Sequence, residues 1–164
     1  MFEATHVNMK DKKSLRYMLN NVAAIAEDER ILGVDLDFVL PDKHRAQARE
    51  GVLCTMQINS YADDRRYLVD LLWMKESKED LMSNFRAKDK KTSLKSILES
   101  VSYTKLMWHS RQDSDGLSVR FGVSLTGVIE VQLMKILVDG SDDRMRFGNA
   151  VEDLEIYHGE EPVI

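Results

Sequence analysis

The chain has 164 residues, 43% hydrophobic and 31% charged, with two prolines and one cysteine. That length suits one domain spanning residues 1–164, and that composition excludes a disordered segment and a disulfide-stapled scaffold. The net charge of −5 argues against strong nonspecific nucleic-acid binding and leaves room for a local basic groove.

No apolar stretch approaches the roughly 18 residues of a membrane span, and no charged-then-apolar signal pattern opens the chain. The expected setting is therefore intracellular, cytoplasmic or nuclear, with no membrane partner. Cys54 lies in an apolar run and is expected to be a buried, reduced thiol.

In chain order, Leu15, Met18, Leu19, Val22, Ala23 and Ala26 recur at three- and four-residue steps, which predicts an amphipathic helix from about Lys12 to Glu27. The short apolar run Ile31–Val39 stops before Pro41 and reads as a central strand carrying Asp35 and Asp37. After a polar loop with Lys43, His44, Arg45 and Arg49, the stretches Val52–Ile58 and Arg66–Trp73 read as strands divided by the turn-like Asn59–Asp64. Leu94, Ile97, Leu98 and Val101 then return to helical spacing behind Thr92 or Ser93 as N-cap. Thr104–Trp108 reads as a strand, Ser114–Phe121 as a helix closed by Gly122, Ser124–Glu130 as a strand and about Val131–Val138 as a helix. The order predicts an α/β fold: a mixed sheet, with an antiparallel meander of three strands plus parallel strands, and helices on both faces.

Asp35 and Asp37, two apart on a strand, share one side of the sheet. A divalent cation is one way to tolerate such a pair, hard oxygen ligands favouring Mg2+ or Mn2+; hydration at a strand end is the other. Asp113 and Asp115 follow the strand ending near Trp108, where an acid can equally cap a helix. Lys88, Lys90 and Lys91, with Arg86 and Lys95, could follow a phosphate backbone or form ordinary solvated surface. His109 suits a general base or a packing residue.

Together these segments resemble the 3′-5′ exonuclease-like domains related to ribonuclease D, of the ribonuclease H-like fold. Gly33-Val34-Asp35-Leu36-Asp37 is similar to the first exonuclease motif, Asp-x-Glu. Gly51–Ile58 and Tyr67–Leu72 are similar to the next two strands. The segment Trp108–Leu117 with Arg120–Val123 is similar to the second motif, a strand-to-helix turn presenting an Asp and followed by Phe-Gly, and Val128–Leu133 is similar to an Asp-x-Gln segment.

The resemblance implies that Asp35, Asp37 and Asp113 are catalytic metal ligands for Mg2+ or Mn2+, with Asp115 a neighbour. It implies hydrolysis of the terminal phosphodiester at a 3′ end of RNA or DNA, with Lys88, Lys90, Lys91, His109 and Arg111 as candidate nucleic-acid contacts. Two departures matter. Asp37 stands where the motif has Glu, drawing a ligand back by about 1.5 Å. The third motif, a Tyr or His four residues before a last Asp, has no match. Asn149–Asp153 offers Asn there, Phe147–Leu154 reads as an earlier helix, and the domain is expected to be C-terminally short. The readings left are a metal-dependent exonuclease-like domain, fully or weakly active, and a catalytically degenerate module that binds nucleic acid or protein within a larger assembly. Late apolar residues, Val138, Ile156, Val163 and Ile164, point to a homodimer or protein partner.

Overall fold

The computed structural model describes residues 5–39 and 52–140. In chain order it forms β1 (Thr5–Met9), α1 (Lys12–Ala23), a short 3-10 turn (Glu27–Glu29), β2 (Ile31–Val39), β3 (Val52–Ser60), β4 (Arg65–Asp70), α2 (Leu71–Glu76), α3 (Leu94–Glu99), β5 (Thr104–Met107), α4 (Arg111–Phe121), β6 (Val128–Glu130) and α5 (Val131–Asp139). The strands make one sheet in the order β1-β4-β3-β2-β5-β6. β2, β3 and β4 run antiparallel, while β1, β5 and β6 join by parallel pairings. The mixed α/β sheet expected from the sequence is therefore present. Among the described residues no helix is long and apolar enough to cross a membrane.

Local chemistry explains where elements begin and end. Asp11 accepts the Lys13 and Ser14 amides, both at 2.8 Å, and opens α1, which buries Leu15, Met18, Leu19 and Val22. The helix closes at Ala23, short of the expected Glu27, because the acidic triplet from Glu27 turns separately. The strand expected to reach Trp73 stops at Asp70, whose carboxylate takes the Trp73 amide at 2.8 Å and starts α2. The strand expected from Ser124 shrinks to three residues. Gly127 before it needs φ +62°, and a Cβ there would sit 3.0 Å from the Tyr103 carbonyl. β1, an edge strand alongside β4, was not anticipated.

Alternation along β2 buries Leu32, Val34 and Leu36 and leaves Asp35 and Asp37 exposed on the other side. The pairing slips between Asp37 and Phe38: Asp37 faces Thr55, whereas Phe38 faces Leu53. Cys54 is the extra residue of this bulge, and it lets Leu53 join Met56 and Ile58 in the core. The thiol is consequently only half-buried, donating to the Val52 carbonyl at 3.3 Å, which corrects the buried thiol expected above.

On β5 a lysine is fully buried. Lys105 gives its ammonium protons to the carbonyls of Ser100 (2.6 Å), Tyr103 (2.7 Å) and Ile97 (3.3 Å), tying the end of α3 to the start of β5. Burial pulls its pKa down to about 8, while the three acceptors favour the charged form. Lys105→Met leaves those carbonyls unpaired and is expected to cost about 2–4 kcal/mol of stability in urea unfolding. An unchanged midpoint would rule out this clamp.

Candidate active site

Asp35 and Asp37 stand side by side on the exposed face of β2, and β3 supports them. Thr55 Oγ1 donates to Asp37 Oδ2 at 2.8 Å and Gln57 Nε2 donates to the same oxygen at 3.3 Å. Both donors follow from the register, which sets Thr55 opposite Asp37 and Gln57 opposite Asp35. The carboxyl of Asp35 is held above the usual range, first by burial and then by the Asp37 charge.

The third acid arrives on α4. Asp113 lies in the first turn of that helix and is 7% exposed. One turn on, Gly116 lies flat against Phe38, where a Cβ would stand 2.7 Å from the ring, so the helix rests on the end of β2. Asp113 then feels the two strand acids. Its pKa is pushed up to about 7, first by burial, then by the charges of Asp35, Glu130 and Asp37.

Glu130, which ends β6 and caps α5, was not among the residues chosen from sequence. Its carboxylate accepts the His109 amide at 2.6 Å, the Ser110 amide at 2.7 Å and the Ser110 hydroxyl at 2.7 Å. Burial works to raise its pKa, but bonds from Ser110, His109 and Gln132 outweigh that and hold it below the usual range. The turn it grips is a tight one, with His109 at φ +58°, a conformation that non-glycine residues seldom adopt. Glu130 thereby fixes the entry into α4 and the station of Asp113. The sequence signal was present, an acid where the resembled segment has Asp, but nothing in the spacing disclosed its partners.

The remaining candidates divide. His109 and Arg111 are exposed within four residues of Asp113, and Asp115 is half-buried inside α4. Lys88, Lys90 and Lys91 are elsewhere. Their loop is closed by Asp89, which accepts the Lys91 and Thr92 amides, and the Lys88 amide donates to Asn20 Oδ1 of α1. An antiparallel bridge between Arg86 and Ser93 leads the chain from this loop into α3. Thr92 adjoins Tyr103, just before β5 pairs Thr104 with Ile31. This is the opposite end of β2, about 13 Å from Asp35 at strand rise, so the structure does not bring these lysines to the carboxylates.

The donor set is of hard oxygens, which suits Mg2+ or Mn2+ in kind. Among the described residues, however, no three His, Cys, Asp or Glu groups are arranged to hold a metal ion together. Asn149–Asp153 and Phe147–Leu154 lie outside the described residues.

No family model and no curated protein matches the chain. Solved structures do. Trypanosoma brucei RNase D in complex with RNA U12 is 17% identical with a TM-score of 0.73, over 92% of this chain and 47% of that one. Escherichia coli RNase D is 18% identical with a TM-score of 0.63, over 92% of this chain and 33% of that one. The EXD2 exonuclease domain soaked in Mn and Mg is 16% identical with a TM-score of 0.61, over 81% and 59%. The chain thus has the ribonuclease H-like fold of the RNase D, RRP6 and EXD2 exonuclease domains. It spans less than half the length of the RNase D chains.

An acid whose folded-state pKa is raised binds more protons folded than unfolded. Metal-free stability should therefore fall as pH rises from about 4 toward the Asp113 value of about 7, and level off above it. Asp113→Asn should remove the Asp113 share of that slope, making the metal-free protein more stable than wild type by on the order of 2–4 kcal/mol at pH 8 and equal near pH 4. Urea titrations in EDTA at the two pH values check this; parallel curves would contradict it. Glu130→Ala leaves three donors unpaired and should cost about 2–4 kcal/mol. Amide exchange at His109 and Ser110 should accelerate, and unaltered protection there would show that the turn stands without Glu130.

Proposed function

We propose that this chain is a 3′-5′ exonuclease-like domain of cytoplasmic or nuclear nucleic-acid processing, hydrolysing terminal phosphodiesters of RNA or DNA with Mg2+ or Mn2+. The observation that carries the reading is the buried Asp113 of α4 held within the fields of Asp35 and Asp37 on this fold. Support comes also from the neighbours, one of which is in complex with RNA and another soaked in Mn and Mg.

Asp35, Asp37 and Asp113 are the residues that would hold the metal, which when bound supplies Lewis-acid activation of water and of the phosphate. The chain's own contribution is positioning. Thr55 and Gln57 orient Asp37, Glu130 fixes the turn before Asp113, and Gly116 sets the helix against β2. Repulsion among the acids costs stability until a cation stands near them.

A second reading, a binding module without hydrolysis, is favoured by the lack of an assembled three-group ligand set among the described residues. The exposed Leu133, Met134, Leu137 and Val138 of α5 offer such a module a protein contact or a homodimer face.

Labelled single-stranded RNA and DNA, incubated with the chain in Mn2+, Mg2+ or EDTA, separate the two. Stepwise shortening from the 3′ end is expected with metal and none in EDTA, and Asp113→Asn should lower the rate about 100-fold or more. Binding without shortening in any metal would overturn the nuclease and leave the binding module.

A further inference from the structure

The exposed face of the meander that carries Asp35 and Asp37 extends beyond them toward β4. On it, Asp35, Gln57 and Leu68 form one cross-strand row, and Gly33, Asn59 and Arg66 form the next. Gln57 joins the two regions. Its amide donates to Asp37, and the same residue lines an open groove of about 280 Å³ with Asn59, Arg66, Tyr67 and Leu68.

Tyr61, 65% exposed, follows β3 and brings its ring beside β2. A Cβ on Gly33 would stand 3.8 Å from that ring and 3.4 Å from Asn59 Cβ, ordinary contact distances that set the glycine between an aromatic ring and an amide. The backbone of Arg66 pairs in the sheet, while its exposed side chain makes no hydrogen bond or ion pair with another described residue. Its neighbour Arg65 is spent on Asp63 at 3.1 Å.

A guanidinium for a phosphate and two amides lining an open groove, with an aromatic ring for a base beside it over Gly33, are the parts with which proteins track a single nucleic-acid strand. From Asp35 to Arg66 is two strand spacings across and one two-residue step along, about 12 Å. That distance assigns the contacts to nucleotides more than one step upstream of the terminal one, beyond the reach of a dinucleotide.

We propose that this face binds the single strand on the 5′ side of the reacting end, with one base stacked on Tyr61 and one backbone phosphate on Arg66. The proposal rests on the reading of Asp35, Asp37 and Asp113 as a 3′-end site.

Fluorescence anisotropy in EDTA, where no cleavage is expected, tests it with a labelled single strand of about eight residues and with a dinucleotide. Tyr61→Ala and Arg66→Ala should each weaken the longer strand about 5-fold or more and leave the dinucleotide unchanged. Arg66→Ala should also flatten the slope of log affinity against log salt by about 0.7. Both side chains are exposed, and unchanged circular dichroism confirms that the variants fold. Equal affinity and slope in both variants, an equal loss with the dinucleotide, or a wild-type chain that binds no strand would each overturn the groove. A chain that binds through Tyr61 and Arg66 yet cleaves nothing in Mn2+ keeps the groove and loses the proposed hydrolysis.

Discussion

Like charges at one end of the sheet are the constraint around which the rest of the structure is arranged. Asp35, Asp37, Asp113 and Glu130 act on one another through a partly dry environment. The fold answers unevenly. Asp37 receives two hydrogen bonds from β3 and Glu130 receives three from the β5–α4 turn. Asp35 and Asp113 have their carboxyl groups pushed upward by burial and by their neighbours. Two acids are thus held by hydrogen-bond donors, and two carry a charge that their surroundings disfavour.

The meander's bulge and the glycine on α4 serve this division. Without the extra residue at Cys54, the alternation of β3 would turn Leu53 toward the acids and break the core at Phe38. Phe38 in turn is the surface on which Gly116 lets α4 settle. Packing on the buried side of the sheet therefore determines the electrostatics at its exposed side. A larger residue at position 116 would disturb Asp113 without touching it.

Much of this was legible in the sequence because it was periodic. The three- and four-residue steps of α1, the two-residue alternation around Asp35 and Asp37, and the apolar runs of β3 and β5 are local signals that tertiary structure left intact. The errors fall where one polar side chain or one backbone angle decides. Asp70 turned a strand into a helix, and Gly127 delayed β6. Of the site, the strand acids and Asp113 could be named from motif order alone. Glu130 could not be assigned a role, since its partners lie about 20 residues away in sequence and are mostly backbone amides.

The bulge at Cys54 also has a practical side. It leaves the chain's one thiol half-buried rather than in the core, next in sequence to the threonine that holds Asp37. A single maleimide-borne fluorophore or nitroxide could be installed there without mutagenesis, as a spectroscopic ruler beside the acids.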